Sequence, residues 1–225
     1  MSGQLSQLSM ENGYNICVHY DTRNRGIGLK GGVGWPRSKK QLDQYKKITT
    51  TRNSEGKPNA MIVGYKTLLS VPAKSIKFGF PDRLTYVVGR DTLPPAGYEV
   101  SPTETAPTTG TYYGIKYCDS FESAINAAYD DGCGEVFVNG GTSLYDLVLT
   151  QYPQFCKKIF VEEMLFPVEY ESDRFFPELT DRFKEVNSEE HVDTITDKKT
   201  GVTTNINMRF LTFENNNFAD LVHYL

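Results

Sequence analysis

EVFVNGGTSLY, residues 135–145, is the stretch on which the reading of the fold turns. Val136, Phe137 and Val138 form a short apolar run that reads as a buried strand. It passes into Gly140-Gly141 and then, through Thr142 and Ser143, into the amphipathic LYDLVL. Strand, glycine pair and helix start together make a seat for an anion. Glycine lets the backbone approach a ligand closely, and the unbonded N–H groups of the first helical turn face negative charge along the helix dipole. A plain strand-to-helix turn capped by Ser or Thr has the same local sequence, so the choice rests on the rest of the chain.

Working outward, the same grammar recurs. AMIVG (60–64) is a second apolar strand that runs straight into the helical YKTLLS, and RLTYVVGR (83–90) is a third strand ending in an arginine. NICVHY (15–20) and KKIFVEEM (157–164) supply two more strands. SFESAINAAYDDG is a helix opened by Ser120, with Ala124, Ile125 and Ala128 at helical spacing. After Trp35-Pro36, RSKKQLDQYKKITT carries Leu42, Tyr45 and Ile48 at three-residue steps, which predicts a helix with a basic outer face. TNINMRFLTFEN alternates like an antiparallel edge or hairpin strand, and NFADLVHYL predicts a short terminal helix. DTRNRGIGLKGGVGW, with its five glycines, reads as a mobile loop rather than an element. Strand–helix alternation followed by antiparallel strands predicts an α/β fold on a mixed, mostly parallel sheet covered on both faces. Ligands then sit beyond the carboxyl ends of the strands.

At 225 residues the chain fits one domain with its own core. Residues 1–12 read as a flexible tail, 13–213 as the domain, and 214–225 as a C-terminal extension. The Pro/Thr/Gly-rich run at 99–113 reads as a surface insertion. Cys17, Cys118, Cys133 and Cys156 lack metal-ligand or CxxC spacing, which predicts buried thiols and no metal site. A net charge of −4 without a Lys/Arg block argues against nucleic acid, and no apolar run is long enough for a membrane span. The expectation is a soluble, cytoplasmic protein with a small-molecule substrate, with monomer and homodimer both left open.

Two anion seats on strand ends, with Lys66 after Gly64 and Arg90 at the end of the third strand, would hold the phosphates of a dinucleotide. A basic pair there favours NADPH over NADH, because the extra 2′-phosphate needs cations. On spacing alone, two solvated surface cations remain the alternative. GIGLKG (26–31) fits GxGxxG but opens no helix, so it is not read as a Rossmann fingerprint.

Taken in order, GIGLKGGVGWP, MIVGYKTLLSVP, RLTYVVGRD, VNGGTSLYD and IFVEEM followed by ESDRFFPEL resemble dihydrofolate reductase, over most of residues 14–213. The resemblance implies an eight-stranded mixed sheet with helices on both faces and hydride transfer from NADPH to dihydrofolate. It implies that Gly26, Ile27, Gly28, Gly31 and Gly32 belong to a loop closing over the nicotinamide, which His19 also borders. It assigns Tyr65, Lys66, Thr67, Gly89 and Arg90 to the adenosine-phosphate site. Gly140 and Gly141 match a glycine pair joined by a cis peptide, and Thr142, Ser143 and Leu144 match the pyrophosphate turn. Ser70, Val71 and Arg83 match the substrate side, Arg83 taking the place of the arginine that pairs with folate's glutamate carboxylate. Trp35 matches the tryptophan near the pterin, and Tyr145 the tyrosine near the nicotinamide.

The departures fall at the chemical centre. The family's carboxylate, six residues beyond the tryptophan, is replaced by Gln41, which cannot balance a cationic pterin. Asp43 lies two residues further on, about 200° around a helix, and is a poor substitute. On the fifth strand, Glu162 stands where the family usually has a threonine. The expectation is that the acid has moved from helix to strand, with Glu162 binding the pterin edge and Gln41 completing its hydrogen bonds. A one-residue slip of the strand would instead turn Glu162 to solvent. Cys17 and Asn139 replace aliphatic residues near the pterin amino group, and His19 replaces a small residue. Leu42 and Tyr45 suit stacking on a ring. Two alternatives accompany the first reading: the same cofactor acting on a non-folate pterin or pyrimidine-like heterocycle, and a catalytically silent member that binds nucleotide or a partner.

Overall fold

The computed structural model describes residues 12–72, 77–89, 110–111, 113–197 and 200–218. The expected tail up to residue 11, Arg90, most of the 99–113 insertion, and residues 219–225 of the C-terminal extension with most of its expected short helix lie outside the described residues. The described residues form two compact units, one of Thr49–Leu144 with the residues up to Tyr14, the other of Asn15–Ile48 and Tyr145 onward.

In the first unit, β3 (Asn59–Gly64), β4 (Arg83–Val88), β5 (Ile115–Cys118) and β6 (Val136–Val138) pair in parallel in the order β5-β4-β3-β6. Ala60, Met61, Ile62 and Val63 are all buried, as near-continuous apolar strands covered on two faces must be. Helix α2 (Tyr65–Ser70) follows β3 directly, and its Leu68 packs on Val63 and Val87. Helix α3 (Phe121–Asp130) opens as expected at Ser120. Ser120 Oγ accepts from Ser123 N at 3.1 Å and Ser123 Oγ accepts from Ser120 N at 3.2 Å, a reciprocal capping box. Strand β5 was not anticipated, because IKYC at a sheet edge buries none of its side chains fully.

The second unit contains β1 (Tyr14–Asp21, from Asn15 on), β2 (Gly26–Gly28), β7 (Cys156–Leu165), β8 (Arg174–Phe175), β9 (Phe183–Thr196) and β10 (Thr203–Asn215), with α1 (Lys39–Thr50, to Ile48) and most of α4 (Thr142–Gln151). Strand β10 runs antiparallel between β7 and β9. It is therefore a hairpin strand, as its alternation predicts, but an inner one rather than an edge. The edge is β9, which the sequence reading passed over: FKEVNSEEHVDTIT buries only Phe183 and Ile195, so it has no apolar period to detect, and its charges are those of a protected edge. Trp35, Met164, Phe166, Ile195, Ile206, Met208 and Phe210 form the core beneath α1.

The fold is thus α/β with a mixed pattern of pairing. Among the described residues there are ten strands and four α-helices. Eight strands correspond to the expected number, and β2 and β8 are short additions of three and two residues. Those additions correct the reading of residues 21–35 as a loop without elements. Gly26 pairs with Asp21, β2 pairs with β8, and Leu29 and Gly32 exchange backbone hydrogen bonds of 2.8 and 3.0 Å. Between them, Lys30 and Gly31 both have positive φ, the backbone of a tight hairpin turn. Arg23 holds the segment down by donating to the carbonyls of Phe166 and Val168. All four cysteines are free thiols; Cys17, Cys133 and Cys156 are buried and Cys118 is half-buried. Among the described residues, no helix is long and apolar enough to cross a membrane.

Candidate active site

Glu162, Gln41, Trp35 and Tyr145, the residues expected at the reacting ring, fall in the second unit. On β7 the register places Glu162 opposite Phe210, and Glu163, one residue on, opposite Arg209. The two acids therefore point to opposite faces of the sheet. Glu163 accepts from Tyr20 Oη at 2.9 Å and from Arg209 Nε at 2.8 Å, a paired structural carboxylate. Glu162 points to the α1 face, is 5% exposed, and accepts from Gln41 Nε2 at 2.7 Å through Oε2. No strand slip has turned it outward. Its Oε1 is buried without a hydrogen-bond partner among the described residues.

Burial pushes the Glu162 carboxyl up to about 8, and the hydrogen bond from Gln41 opposes that rise. At neutral pH the group is a protonated acid, able to donate from one oxygen and accept at the other. Asp43 is exposed and paired with Lys39 on the outer face of α1, as a residue two positions round the helix should be.

In the same unit, Trp35 is buried and its ring meets His19 edge-on, with centroids 6.1 Å apart. Burial lowers the His19 imidazole to about 4, so it is neutral at physiological pH and lines the unit without charge. Tyr145 donates its hydroxyl to the carbonyl of Cys17 at 2.7 Å, and burial holds it protonated. It fixes the backbone of β1 and keeps its proton. Tyr45 is half-buried on α1, whereas Leu42 is 44% exposed, an apolar side chain offered to solvent. Gly26 and Gly28 form the ends of β2, Ile27 is half-buried between them, and Gly31 and Gly32 complete the turn.

The residues expected to hold phosphates fall in the first unit. Gly140 and Gly141 are joined by a cis peptide, and Gly140 accepts from Gly64 N at 2.7 Å, so the two glycine-to-helix junctions are tied to each other. A Cβ on Gly141 would stand 2.9 Å from Thr67 Oγ1, closer than real side chains pack, which explains glycine there. Tyr65 and Thr67 are half-buried, Lys66 is exposed, and Gly89 donates to Cys118 O at 3.3 Å. Thr142 Oγ1, at the first residue of α4, is buried with no partner among the described residues, while Ser143 is exposed and Leu144 buried. An orphaned hydroxyl at a helix start, beside a glycine whose Cβ would crowd Thr67, fits the phosphate of a dinucleotide. Arg90, the expected second cation, is among the residues not described.

Of the residues in this unit expected on the substrate side, Arg83 is 5% exposed, donating from Nε to Pro81 O at 2.9 Å and from Nη1 to Thr49 Oγ1 at 2.7 Å. Ser70 is exposed and donates to Thr67 O, while Val71 packs beside Val63, Leu68 and Val87. Asn139 donates to Phe137 O at 3.0 Å, and its Oδ1 is buried without a partner among the described residues.

Ser38 and Asp193 escaped the sequence reading. Ser38 caps α1 by accepting from Gln41 N at 3.0 Å, and Asp193 of β9 holds Ser38 and accepts from Lys40 N at 3.0 Å. SKKQ at 38–41 is the S-x-x-Q pattern of a capping box and was a readable signal. Asp193, on an undetected strand, had none.

The family model described as dihydrofolate reductase matches residues 16–214. Relatives bearing that name include the Sus scrofa protein, 28% identical over 163 residues (72% of this chain, 78% of that one), and the Mus musculus protein, 29% identical over 164 residues with the same coverage. The Aedes albopictus protein is 30% identical over 169 residues, 75% of this chain and 82% of its own.

Proposed function

Because the chain belongs to the dihydrofolate reductase family, we propose that it reduces 7,8-dihydrofolate to tetrahydrofolate with NADPH. The observation that carries the reading is the buried Glu162 carboxyl, one oxygen held by Gln41 and the other without a partner. An unsatisfied buried polar atom costs about 1–3 kcal/mol, and that cost is recovered when a ligand supplies the missing hydrogen bond. A pterin edge, with an amino group beside ring nitrogens, offers a donor and an acceptor side by side, the pattern a protonated carboxyl matches.

NADPH, when bound, supplies the hydride. The chain's own residues do the rest. Tyr65, Lys66, Thr67, Gly89 and Arg90 hold the adenosine phosphates, and Gly140 to Leu144 the pyrophosphate. His19 and residues 26–32 border the nicotinamide. Gln41 orients Glu162, which keeps a proton at the ring edge, and Trp35 packs near the pterin. Leu42 and Tyr45 stack on the ring, Cys17 and Asn139 meet its amino group, and Ser70, Val71 and Arg83 receive the tail.

The test is loss of the reduced nicotinamide absorbance when dihydrofolate is added to protein and NADPH; no loss overturns the reading. A second reading, the same cofactor with another pterin or pyrimidine-like heterocycle, is favoured by the unpartnered Asn139 Oδ1, which asks for a further donor on the ring. It is selected if dihydrofolate is inert and such a ring is reduced. NADPH binding with no ring reduced leaves a silent binding protein.

Lys66→Ala is expected to reduce the preference for NADPH over NADH about tenfold, the contribution of one charge-assisted phosphate contact. Dissociation constants for the two cofactors check this, and an unchanged ratio takes Lys66 out of the phosphate site.

A further inference from the structure

Helix α1 has no acidic residue in its first turn, and Lys39 and Lys40 sit where a helix prefers negative charge. The missing charge comes from β9. Asp193 Oδ2 accepts from Lys40 N at 3.0 Å and from Ser38 Oγ, and Ser38 Oγ in turn accepts from Gln41 N at 3.0 Å. Ser38 is 1% exposed with Met208 Sδ 3.6 Å away, and Gln41 is likewise buried. A continuous line therefore runs from Asp193 through the Ser38 hydroxyl to the Gln41 backbone, and from the Gln41 amide to Glu162 Oε2 at 2.7 Å.

We propose that Asp193 is a positioning residue for the Glu162 carboxyl, acting through Ser38 and Gln41. A glutamine amide presents a donor or an acceptor depending on its rotation, and only the donor stabilises Glu162 in its charged form. Fixing the first turn of α1 fixes the reach of Gln41. The long β9–β10 hairpin thereby acquires a task at the site, although most of β9 faces solvent.

The effect has to travel along this line, since Asp193 does not itself bond Glu162. Other titratable groups on elements packed around Glu162 include Glu189 and His191 on β9, Tyr45 on α1, and Cys17 and His19 on β1, while Lys158 of β7 is exposed and paired with Glu214. Glu189 lines the same small cavity of about 80 Å³, and His191 packs on Phe210. Lys39, Lys40, Asp43, Lys46 and Lys47 of α1 are exposed, and Glu163 and Arg209 lie on the opposite sheet face.

The relevance to turnover rests on the proposed function, but the decisive test does not. The protonated Glu162 carboxyl gives an infrared C=O band, assigned by its loss in Glu162→Gln, and its pH midpoint is read on the full chain without cofactor or substrate. Asp193→Ala and Ser38→Ala are expected to raise that midpoint by about one pH unit, because the Gln41 bond that favours ionisation is lost. Asp193→Asn, whose amide oxygen still accepts from Ser38 and Lys40 N, should restore most of the wild-type midpoint. Lys40→Ala removes a different tie between the same two elements, Nζ to Val192 O at 3.1 Å, and should leave the midpoint in place. Unchanged midpoints in both Ser38→Ala and Asp193→Ala, or an equal shift in Lys40→Ala, overturn the proposal. If Asp193→Ala does not fold, Ser38→Ala and Asp193→Asn still decide it. A protein inert toward dihydrofolate gives the same titration, so the two failures are separable.

Discussion

Replacing Glu162 with glutamine is expected to lower dihydrofolate turnover about 100- to 1000-fold while leaving NADPH affinity unchanged, the loss expected when a positioned acid is removed. The variant is close in shape, so the change isolates the proton. In the native protein Glu162 is protonated below its pKa of about 8, so that Oε1 can donate to a bound ring while Oε2 stays on Gln41. Glutamine at 162 would face the Gln41 amide, and two amides can still pair, so packing survives where the acid does not. The pH profile gives the sign: native activity should fall as pH rises through about 8, and the residual activity of Glu162→Gln should not follow that limb. Asp43→Asn, on the exposed face of α1, should leave both the rate and the profile as they were. Turnover in Glu162→Gln within a few-fold of native would show that the strand acid is not the one that serves the ring.

That this acid was readable at all follows from the chemistry of strands. Glu162 is one of two consecutive glutamates, and only the pleat separates them: Glu163 goes to Tyr20 and Arg209, and Glu162 to Gln41. The loss of a helix carboxylate at Gln41 and its gain on β7 were visible as a paired departure in the sequence, because a buried amide and a buried acid each need the other. The parallel strands, their apolar runs, the Ser120 cap and the Gly140-Gly141 junction were legible for the same local reason: each obeys a short-range rule. What could not be read was long-range. Strand β9 is held by pairing with β10 and shows mostly polar residues, and Asp193 matters only because that pairing brings it to the start of α1. Residues 26–28 looked like a flexible glycine loop because their order comes from β8 and from Arg23 bonding carbonyls more than 140 positions away.

Stability should show the same acid from the other direction, with a counterweight. Glu162 has a folded value of about 8 against an ordinary 4.5. Between those values the folded chain keeps a proton that the unfolded chain has released, and stability falls as pH rises. His19 does the opposite: its folded value of about 4 lies below the ordinary 6.5, so between pH 4 and 6.5 the unfolded chain binds the extra proton and stability rises with pH. The two slopes cancel from about 4.5 to 6.5. Only Glu162 acts from 6.5 to 8, where its contribution is a loss on the order of 2 kcal/mol, the 1.5-unit window at about 1.4 kcal/mol per unit. The expected curve from urea denaturation is therefore flat at mildly acid pH and declines above pH 6.5 to a lower level beyond 8. Glu162→Gln should abolish the decline and uncover the rise due to His19 below 6.5, so that the variant is the more stable protein at pH 9. Parallel curves for native and variant between pH 6.5 and 9 would mean that Glu162 ionises as readily in the folded chain as in the unfolded one, and the burial argument for a neutral acid at the ring edge would fall with it.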